Sequence, residues 1–312
     1  MNIVASQAGI DVSKDELVTS IDQAKTFTVP NHEEGAKRIA LALPEGCTVH
    51  LESSGGYERT AARVLRAAGF RVQVHNPLKA RRLAQGTGRK AKTDPIDARM
   101  LSRSGHLLPA SQPKSQERQG LCDLSRAIDA LKGTAASYKK KMSAPELDEE
   151  AKKAYSALVK GLQGQLRKLE GQFVRRVKAS SFKERYELAL SVPCVGPVAA
   201  RVCVCELPED LYEQPASHMS SYAGLAPIDN SSGKHKGPSR IGRGNARLKK
   251  GFYMAGVCAL RFQPWAKALY ARLMARGKVH DQAMVAVMRR MLLRVVCVLQ
   301  RGSSWQDEPP KA

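Results

Sequence analysis

Apolar and polar residues alternate along the first 110 positions in a pattern that predicts a mixed sheet. Three short runs, at residues 8–13, 16–22 and 26–30, have the length and alternation of strands, and only tight turns separate them. Strand-like runs at 48–52 and 71–76 come next. They alternate with helical stretches at 32–43, at 57–68 and from residue 77 onward.

The order of these elements predicts the fold class. Three consecutive strands read as an antiparallel meander, and the later alternation of strand and helix predicts parallel crossovers on the same sheet. This is the element order of an RNase H-like fold. We therefore expect α/β architecture, specifically an RNase H-like (RuvC-like) domain, over residues 1–110.

Beyond residue 110 the strand signals disappear and helical periodicity takes over. Apolar residues recur every three or four positions in two stripes: Leu121, Leu124, Ile128 and Leu131, then Val159, Leu162, Leu166, Leu169, Phe173 and Val177. The polar segment between them contains Pro145 and marks a turn. We expect a helical connector over residues 111–187, for which a simple hairpin and a coiled-coil dimer seam fit equally well.

The remaining sequence predicts a mainly α domain at 188–300 and a loose tail at 301–312. A Pro-x-x-Gly-Pro turn at residues 193–197 is typical of a helix-hairpin-helix element, and it fits an ordinary αα-corner as well. A Gly-rich basic loop follows near residues 230–244. Asn245 then caps a helix, and a last amphipathic helix runs near 281–299.

Charge narrows the set of partners. The chain of 312 residues has 51 Lys and Arg against 29 Asp and Glu, a formal net charge of +22, and such an excess points to nucleic acid. No membrane-length apolar run or export signal is visible, so we expect a cytoplasmic protein without a membrane partner. Seven cysteines without a C-x-x-C pair predict buried, reduced thiols.

Four acids stand at positions where a metal site could form. Asp11 and Glu52 each end an apolar strand-like run, and Asp94 and Asp97 lie three residues apart at a helix start. Convergent carboxylates need a cation, and hard oxygen donors suit a pair of Mg²⁺ ions for phosphodiester chemistry. Taken singly, each acid is explained more simply as a helix cap, a solvated residue or a turn residue. Their joint placement favours the metal site.

Five sequence blocks resemble the IS110 family of transposases, including its IS1111 branch and the related Piv invertases. They are GIDVSKD, LESSGGYE, KTDPIDARMLS, VPCVGPVAA and GLAPIDNSSGKHKG, followed by RIGRGNARLKKG, and they span residues 8–262. The resemblance implies a DEDD tetrad in a RuvC-like domain, here Asp11, Glu52, Asp94 and Asp97. Two serines precede the glycines after Glu52, where many members of the family have one Ser or Thr.

The same resemblance implies a catalytic serine before a glycine, which is Ser232, with Ser231 as the reserve candidate. By residue type alone, the loop reads as a basic segment that grips phosphates. His235 could be a general base or a phosphate contact. The expected nucleic-acid contacts are Arg89, Lys90, Lys92, Lys234, Lys236, Arg240, Arg243 and Arg247.

Together these features predict a transposase that cuts and exchanges DNA strands with a serine nucleophile and Mg²⁺. The resemblance further implies a structured guide RNA as a partner. We expect a dimer or tetramer, with the acids and the serine meeting within one chain or across two. Two other functions remain open: a RuvC-like junction nuclease that uses water, and a nucleic-acid-binding protein without catalysis.

Overall fold

The computed structural model describes residues 6–23, 26–86, 94–109, 113–232, 235–242 and 244–306. The chain divides into two compact units, Met1–Pro113 and Lys114–Ala312. The boundary lies close to the predicted end of the α/β domain at residue 110. From residue 114 onward, the segment predicted to be a separate helical connector lies within the second unit.

The first unit is built around one mixed sheet. Its strands are β1 (Gln7–Val12), β2 (Glu16–Ile21), β3 (Thr26–Pro30), β4 (Thr48–Glu52) and β5 (Arg71–His75); its helices are α1 (Glu33–Ala42), α2 (Glu58–Ala67), α3 (Pro77–Gly86) and α4 (Asp94–Ser104). The strand order is β3-β2-β1-β4-β5. The first three strands pair antiparallel, and β1, β4 and β5 pair parallel. This confirms the predicted mixed sheet and is consistent with an RNase H-like fold.

The two faces of the sheet have different surroundings. The apolar residues of β1 and β4 are buried in one core with α1 and α2: Ala8, Ile10, Val12, Val49 and Leu51. Successive strand residues point to opposite faces. Gly9 and Asp11 of β1 therefore belong to the other face, as do His50 and Glu52 of β4.

Helix α4 packs on this second face at Gly9. A Cβ atom at Gly9 would clash with the carbonyl oxygen of Ala98 and the backbone nitrogen of Ser102, so the close approach of helix to strand requires glycine. One turn further along the helix, Ser102 Oγ donates a 2.8 Å hydrogen bond to the carbonyl oxygen of Gln7. Because Ala98 lies beside Gly9 and Ser102 beside Gln7, the first turn of α4 points toward the end of β1 that carries Asp11.

The second unit is mainly helical. In chain order its elements are α5 (Gln116–Met142), α6 (Glu149–Lys178), α7 (Lys183–Ser191), α8 (Pro197–Glu206), α9 (Ala216–Tyr222), β6 (Pro227–Ser232), β7 (His235–Ile241), α10 (Ala246–Phe262), α11 (Pro264–Ala275) and α12 (His280–Arg301). Helix α12 is buried along most of its length and packs against α7, α9, α10 and α11. The mainly α prediction is confirmed. Helices α7 and α8, on either side of the Pro-x-x-Gly-Pro turn, pack against each other. Both a helix-hairpin-helix element and an αα-corner have this contact, so it does not distinguish the two alternatives.

Helices α5 and α6 pack against each other as a hairpin. Residues of the predicted stripes are buried along the seam: Leu121, Ile128, Val159, Leu166, Phe173 and Val177. Ser115 and Asp148 cap the two helices by accepting hydrogen bonds from first-turn backbone amides. The simpler of the two alternatives, a helical hairpin within one chain, is therefore confirmed.

Two predictions for the second unit need correction. The Gly-rich basic segment is an antiparallel pair of strands, β6 and β7, instead of an open loop. The described part of the tail is held by Trp305, whose backbone nitrogen donates a 2.9 Å hydrogen bond to Ser191 Oγ and whose ring lies 4.9 Å from the guanidinium carbon of Arg294. Among the helices of the described residues, none has the length and hydropathy that crossing a bilayer would require.

Candidate active site

Asp11 and Glu52 lie next to each other at the ends of neighbouring strands. In the parallel pairing of β1 with β4, Ile10 is opposite Leu51, and the two acids are the next residues of their strands. Both follow a residue of the α1–α2 core, so both belong to the face on which α4 packs. Each is partly exposed.

The first turn of α4, which carries Asp94 and Asp97, points toward the end of β1 where Asp11 lies. Asp97 directly precedes Ala98, the residue that packs on Gly9. Within the described residues, no three His, Cys, Asp or Glu side chains are arranged closely enough to hold a metal ion. The fit to a divalent cation therefore depends on the chemistry of the donors, because carboxylates supply the hard oxygen ligands that Mg²⁺ prefers.

The loop after Glu52 is held by an acid that the sequence analysis did not single out. The buried carboxylate of Glu58 accepts hydrogen bonds from the backbone nitrogens of Ser54 (3.0 Å) and Gly56 (2.9 Å). Gly55 and Gly56 have φ angles of 78° and 117°, a region that favours glycine. Burial raises the pKa of Glu58, but the amide donors outweigh it and the net pKa is lowered. An ionised Glu58 thus fixes the loop beside Glu52.

A second contact ties this loop to the turn that follows Asp11. Asn31 Nδ2 donates hydrogen bonds to the carbonyl oxygens of Ser13 (2.8 Å) and Tyr57 (3.1 Å). One amide side chain therefore anchors the segments that follow both strand-end acids. Such anchoring limits the movement of neighbouring ligands, which a metal site requires.

Two buried histidines support the strands on the α4 face. His50 Nδ1 lies 2.9 Å from His75 Nε2, and His50 Nε2 lies 2.6 Å from Gln7 Oε1. Burial and the neighbouring His75 lower the pKa of His50 to about 4, so this ring is neutral near pH 7. The pair links β1, β4 and β5 behind the acids, and its role here is structural.

If the chain exchanges DNA strands, as its resemblance to the IS110 family implies, Glu58→Gln should slow that reaction by roughly ten- to a hundredfold at saturating DNA, because a loosened loop no longer positions Glu52. The free energy of unfolding should fall by about 1–3 kcal/mol, since the neutral amide oxygen of Gln accepts the two backbone hydrogen bonds more weakly than the charged carboxylate. Chemical denaturation and single-turnover recombination would measure both effects.

The exposed Glu34 of α1 provides the matched control, and Glu34→Gln should change neither quantity. The stability difference between wild type and Glu58→Gln should also depend on pH. Because folding lowers the pKa of Glu58, its contribution is present above the usual value of 4.5 and is lost as the pH falls through the folded-state pKa. An equal difference at pH 7 and well below pH 4 would contradict this assignment.

Ser232 is the last residue of β6. In the ladder, Ser232 is opposite His235 and Ser231 is opposite Lys236, so the two candidate serines and the candidate base share the far end of the strand pair. Ser231, Ser232, Lys236 and His235 are described by their backbone only.

The near end of the strand pair is closely packed. A Cβ atom at Gly244 would clash with the backbone of Ala223 and Gly224, and the φ of Gly224 is 71°. Asn245 then donates a 2.9 Å backbone hydrogen bond to the carbonyl oxygen of Tyr222 and caps α10, as predicted. The segment before β6 and the segment after β7 are therefore held together by close backbone contacts.

Arg247 was predicted to contact nucleic acid, and the structure gives it another role. Its guanidinium group lies 2.6 Å from a carboxylate oxygen of Asp129 and 3.1 Å from one of Glu206. Asp129 also binds Arg201 at 2.7 Å, and Glu206 accepts a 3.0 Å hydrogen bond from Asn245. Because two acids of the chain already match its charge, Arg247 fastens the start of α10 to α5 and α8. Sequence could not show this pairing, since Asp129 is over a hundred residues away.

The other predicted contacts divide into two groups. Arg240 is exposed on β7, opposite Ile228 and toward the strand end away from the serines, and remains a candidate. The remaining predictions lie outside the described residues or have only a described backbone: Arg89, Lys90, Lys92, Lys234, Lys236 and Arg243.

Comparison with known families places transposase models on both units. Residues 8–148 match a DEDD transposase model of the IS110 type, and residues 186–271 match the model described as transposase IS116/IS110/IS902 family. Together the two matches cover most of the chain. The first contains all four acids, and the second contains both serines.

Individual relatives agree with these models. The pilin gene-inverting protein of Moraxella bovis is 25% identical over 94% of this chain and 95% of its own length, and its counterpart from Moraxella lacunata matches equally well. The 43.6 kDa protein of insertion element IS110 from Streptomyces coelicolor is 31% identical over 38% of this chain and 30% of its own length.

Proposed function

Because the chain belongs to the IS110 family of transposases, we propose that it cuts and rejoins DNA at the ends of a mobile element with Ser232 as its nucleophile. Asp11, Glu52, Asp94 and Asp97 would hold divalent metal ions, with Mg²⁺ as the best match to their oxygen donors. The observation that carries the proposal is the adjacency of Asp11 and Glu52 at the ends of two paired parallel strands, on the face where α4 packs.

The proposed exchange conserves the phosphodiester bond. The hydroxyl oxygen of Ser232 attacks the phosphorus, an O–P bond to the protein forms, and the bond to one sugar oxygen breaks. His235, opposite Ser232 in the ladder, is the proposed acceptor of the serine proton, and the departing sugar oxygen receives a proton. Attack by the sugar hydroxyl of a second strand then reverses these steps and frees the serine. Bound metal would supply charge neutralisation at the phosphate oxygens.

Two partners are part of the proposal through the family resemblance. A structured RNA encoded beside the gene would select the DNA ends, and the chain would act as a dimer or tetramer. The alternatives are a junction nuclease that uses water, and a protein that binds nucleic acid without cutting it.

The test is a strand-exchange reaction with the DNA that flanks the gene, run with and without RNA transcribed from it. We expect recombinant product and a protein–DNA adduct on a denaturing gel in Mg²⁺, and neither product in excess chelator. Cleavage without an adduct would favour the water-using nuclease. Binding without any metal-dependent cleavage would favour the non-catalytic protein.

A further inference from the structure

The outer face of α6 is basic along almost its whole length. Residues 151–178 contain eight Lys and Arg and a single acid, Glu170. The seam residues Val159, Leu166 and Phe173 are buried, and the opposite side of the helix carries six exposed cations. These residues, here termed the α6 basic face, are Lys153, Lys160, Arg167, Lys168, Arg175 and Lys178.

The chain leaves this charge unmatched. Glu170 pairs with Lys132 of α5 at 2.6 Å and points its carboxylate toward the hairpin partner. Throughout the described part of the chain, no ion pair involves any of the six side chains of the α6 basic face. Six like charges on one helix face repel one another, so the arrangement favours a polyanionic partner.

Three glycines lie on this side of the helix, and no neighbouring atom requires these positions to lack a side chain. A Cβ atom at Gly161 or Gly164 would meet nothing within 4 Å, and one at Gly171 would meet only Arg175 Nη1 at 3.6 Å. Glycine is a poor helix former, and α6 is a regular helix of 30 residues. Because glycine has no side chain, a partner that binds between the cations can come close to the helix backbone at these positions.

We propose that the α6 basic face binds the phosphate backbone of duplex DNA. From Lys153 to Lys178 the face spans about 37 Å at the rise of an α-helix, close to one turn of B-form DNA, about 34–36 Å. This face is not expected to bind the same face of a second copy of the chain, because the positive charges of the two faces would repel each other. The inference rests on the proposed function only in taking DNA as the substrate. It requires neither Ser232 nor the acids.

The test is DNA binding in chelator, where no cleavage can interfere. The triple variant Lys160→Gln/Arg167→Gln/Lys168→Gln is compared with Lys267→Gln/Arg272→Gln/Arg276→Gln, which removes the same charge from exposed positions of α11 and its C-cap. We expect the α6 variant to bind a short duplex at least tenfold more weakly. Each lost phosphate contact should reduce the slope of log affinity against log salt by about 0.9. The α11 variant should keep the wild-type slope.

Three outcomes would overturn the proposal: an unchanged slope, equal losses in both variants, or a loss confined to a structured RNA tested in parallel. Sedimentation of each variant is the remaining check. A change of subunit number at unchanged DNA affinity would make this face a protein interface.

A second variant separates binding from stability. Gly164→Gln adds a side chain where the structure has open space, so thermal stability should rise, yet the DNA affinity should fall severalfold because the surface is raised. Gly133→Gln on α5, an exposed helical glycine that also has open space around it, should stabilise the protein and leave binding unchanged. Increased stability with undiminished binding in Gly164→Gln would refute the close approach of DNA to α6.

Discussion

Replacing Ser232 by alanine should abolish DNA cleavage and the protein–DNA adduct together, with a rate loss of about a thousandfold or more. If this oxygen is the nucleophile, every cleavage event passes through a phosphoserine bond, and alanine has no atom that can form it. DNA affinity should stay within about twofold of wild type, because the change removes no charge.

The measurement is a denaturing gel of protein incubated with labelled DNA and Mg²⁺, followed by peptide mapping of the shifted band. Ser231→Ala is the matched control, one residue away on the same strand, and it should keep most of the activity. Cleavage that persists in Ser232→Ala would assign the reaction to water. Loss of activity confined to Ser231→Ala would move the nucleophile by one residue.

The second large effect is expected at the strand-end acids. Asp11→Asn or Glu52→Gln should reduce strand exchange by roughly a hundred- to a thousandfold, because either change removes a charged oxygen donor from the proposed metal site. Both acids are partly exposed, so the free energy of unfolding should change by less than about 1 kcal/mol.

Recombination rates and chemical denaturation of the same preparations test both parts of this prediction. Asp15→Asn, an exposed position in the turn that follows Asp11, is the control and should behave as wild type. A metal titration adds a separate readout, since the variants should need more Mg²⁺ to reach their maximal rate. Full activity in both acid variants would remove these residues from the site.

In the first unit, most strands and helices could be predicted from the local pattern of apolar and polar residues. Its strands and helices begin and end close to where alternation and periodicity predict them, because one sheet face and one helix side are buried and the sequence must repeat with the same period. The placement of Asp11 and Glu52 on adjacent strands follows from the element order. Their common face, and the approach of α4 at Gly9, depend on register and on a close backbone contact between residues far apart in sequence.

Glu58 is an instructive omission. It follows two glycines and begins a helix, a local pattern similar to the reach-back of an acid in a capping box, so the sequence held a usable signal.

The segment around Ser232 held a weaker signal of its structure. Residues 227–241 are polar and rich in glycine, and Ile228 and Ile241 remain exposed in the strands. The sequence of this segment does not alternate between apolar and polar residues, so the ladder could not be predicted.

Apart from the β6–β7 pair, the sequence by itself determined most of the secondary structure, and it determined the basic character of the protein and the family to which it belongs, because each of these is written in local composition, period or motif. Tertiary structure alone decided which charges stay available. Arg247 belongs to a basic block, yet Asp129 and Glu206 neutralise it. The six cations of α6 are no more basic in sequence, and none of them is in an ion pair among the described residues. Electrostatic pairing depends on distance in space, and a linear pattern of charges does not contain that distance.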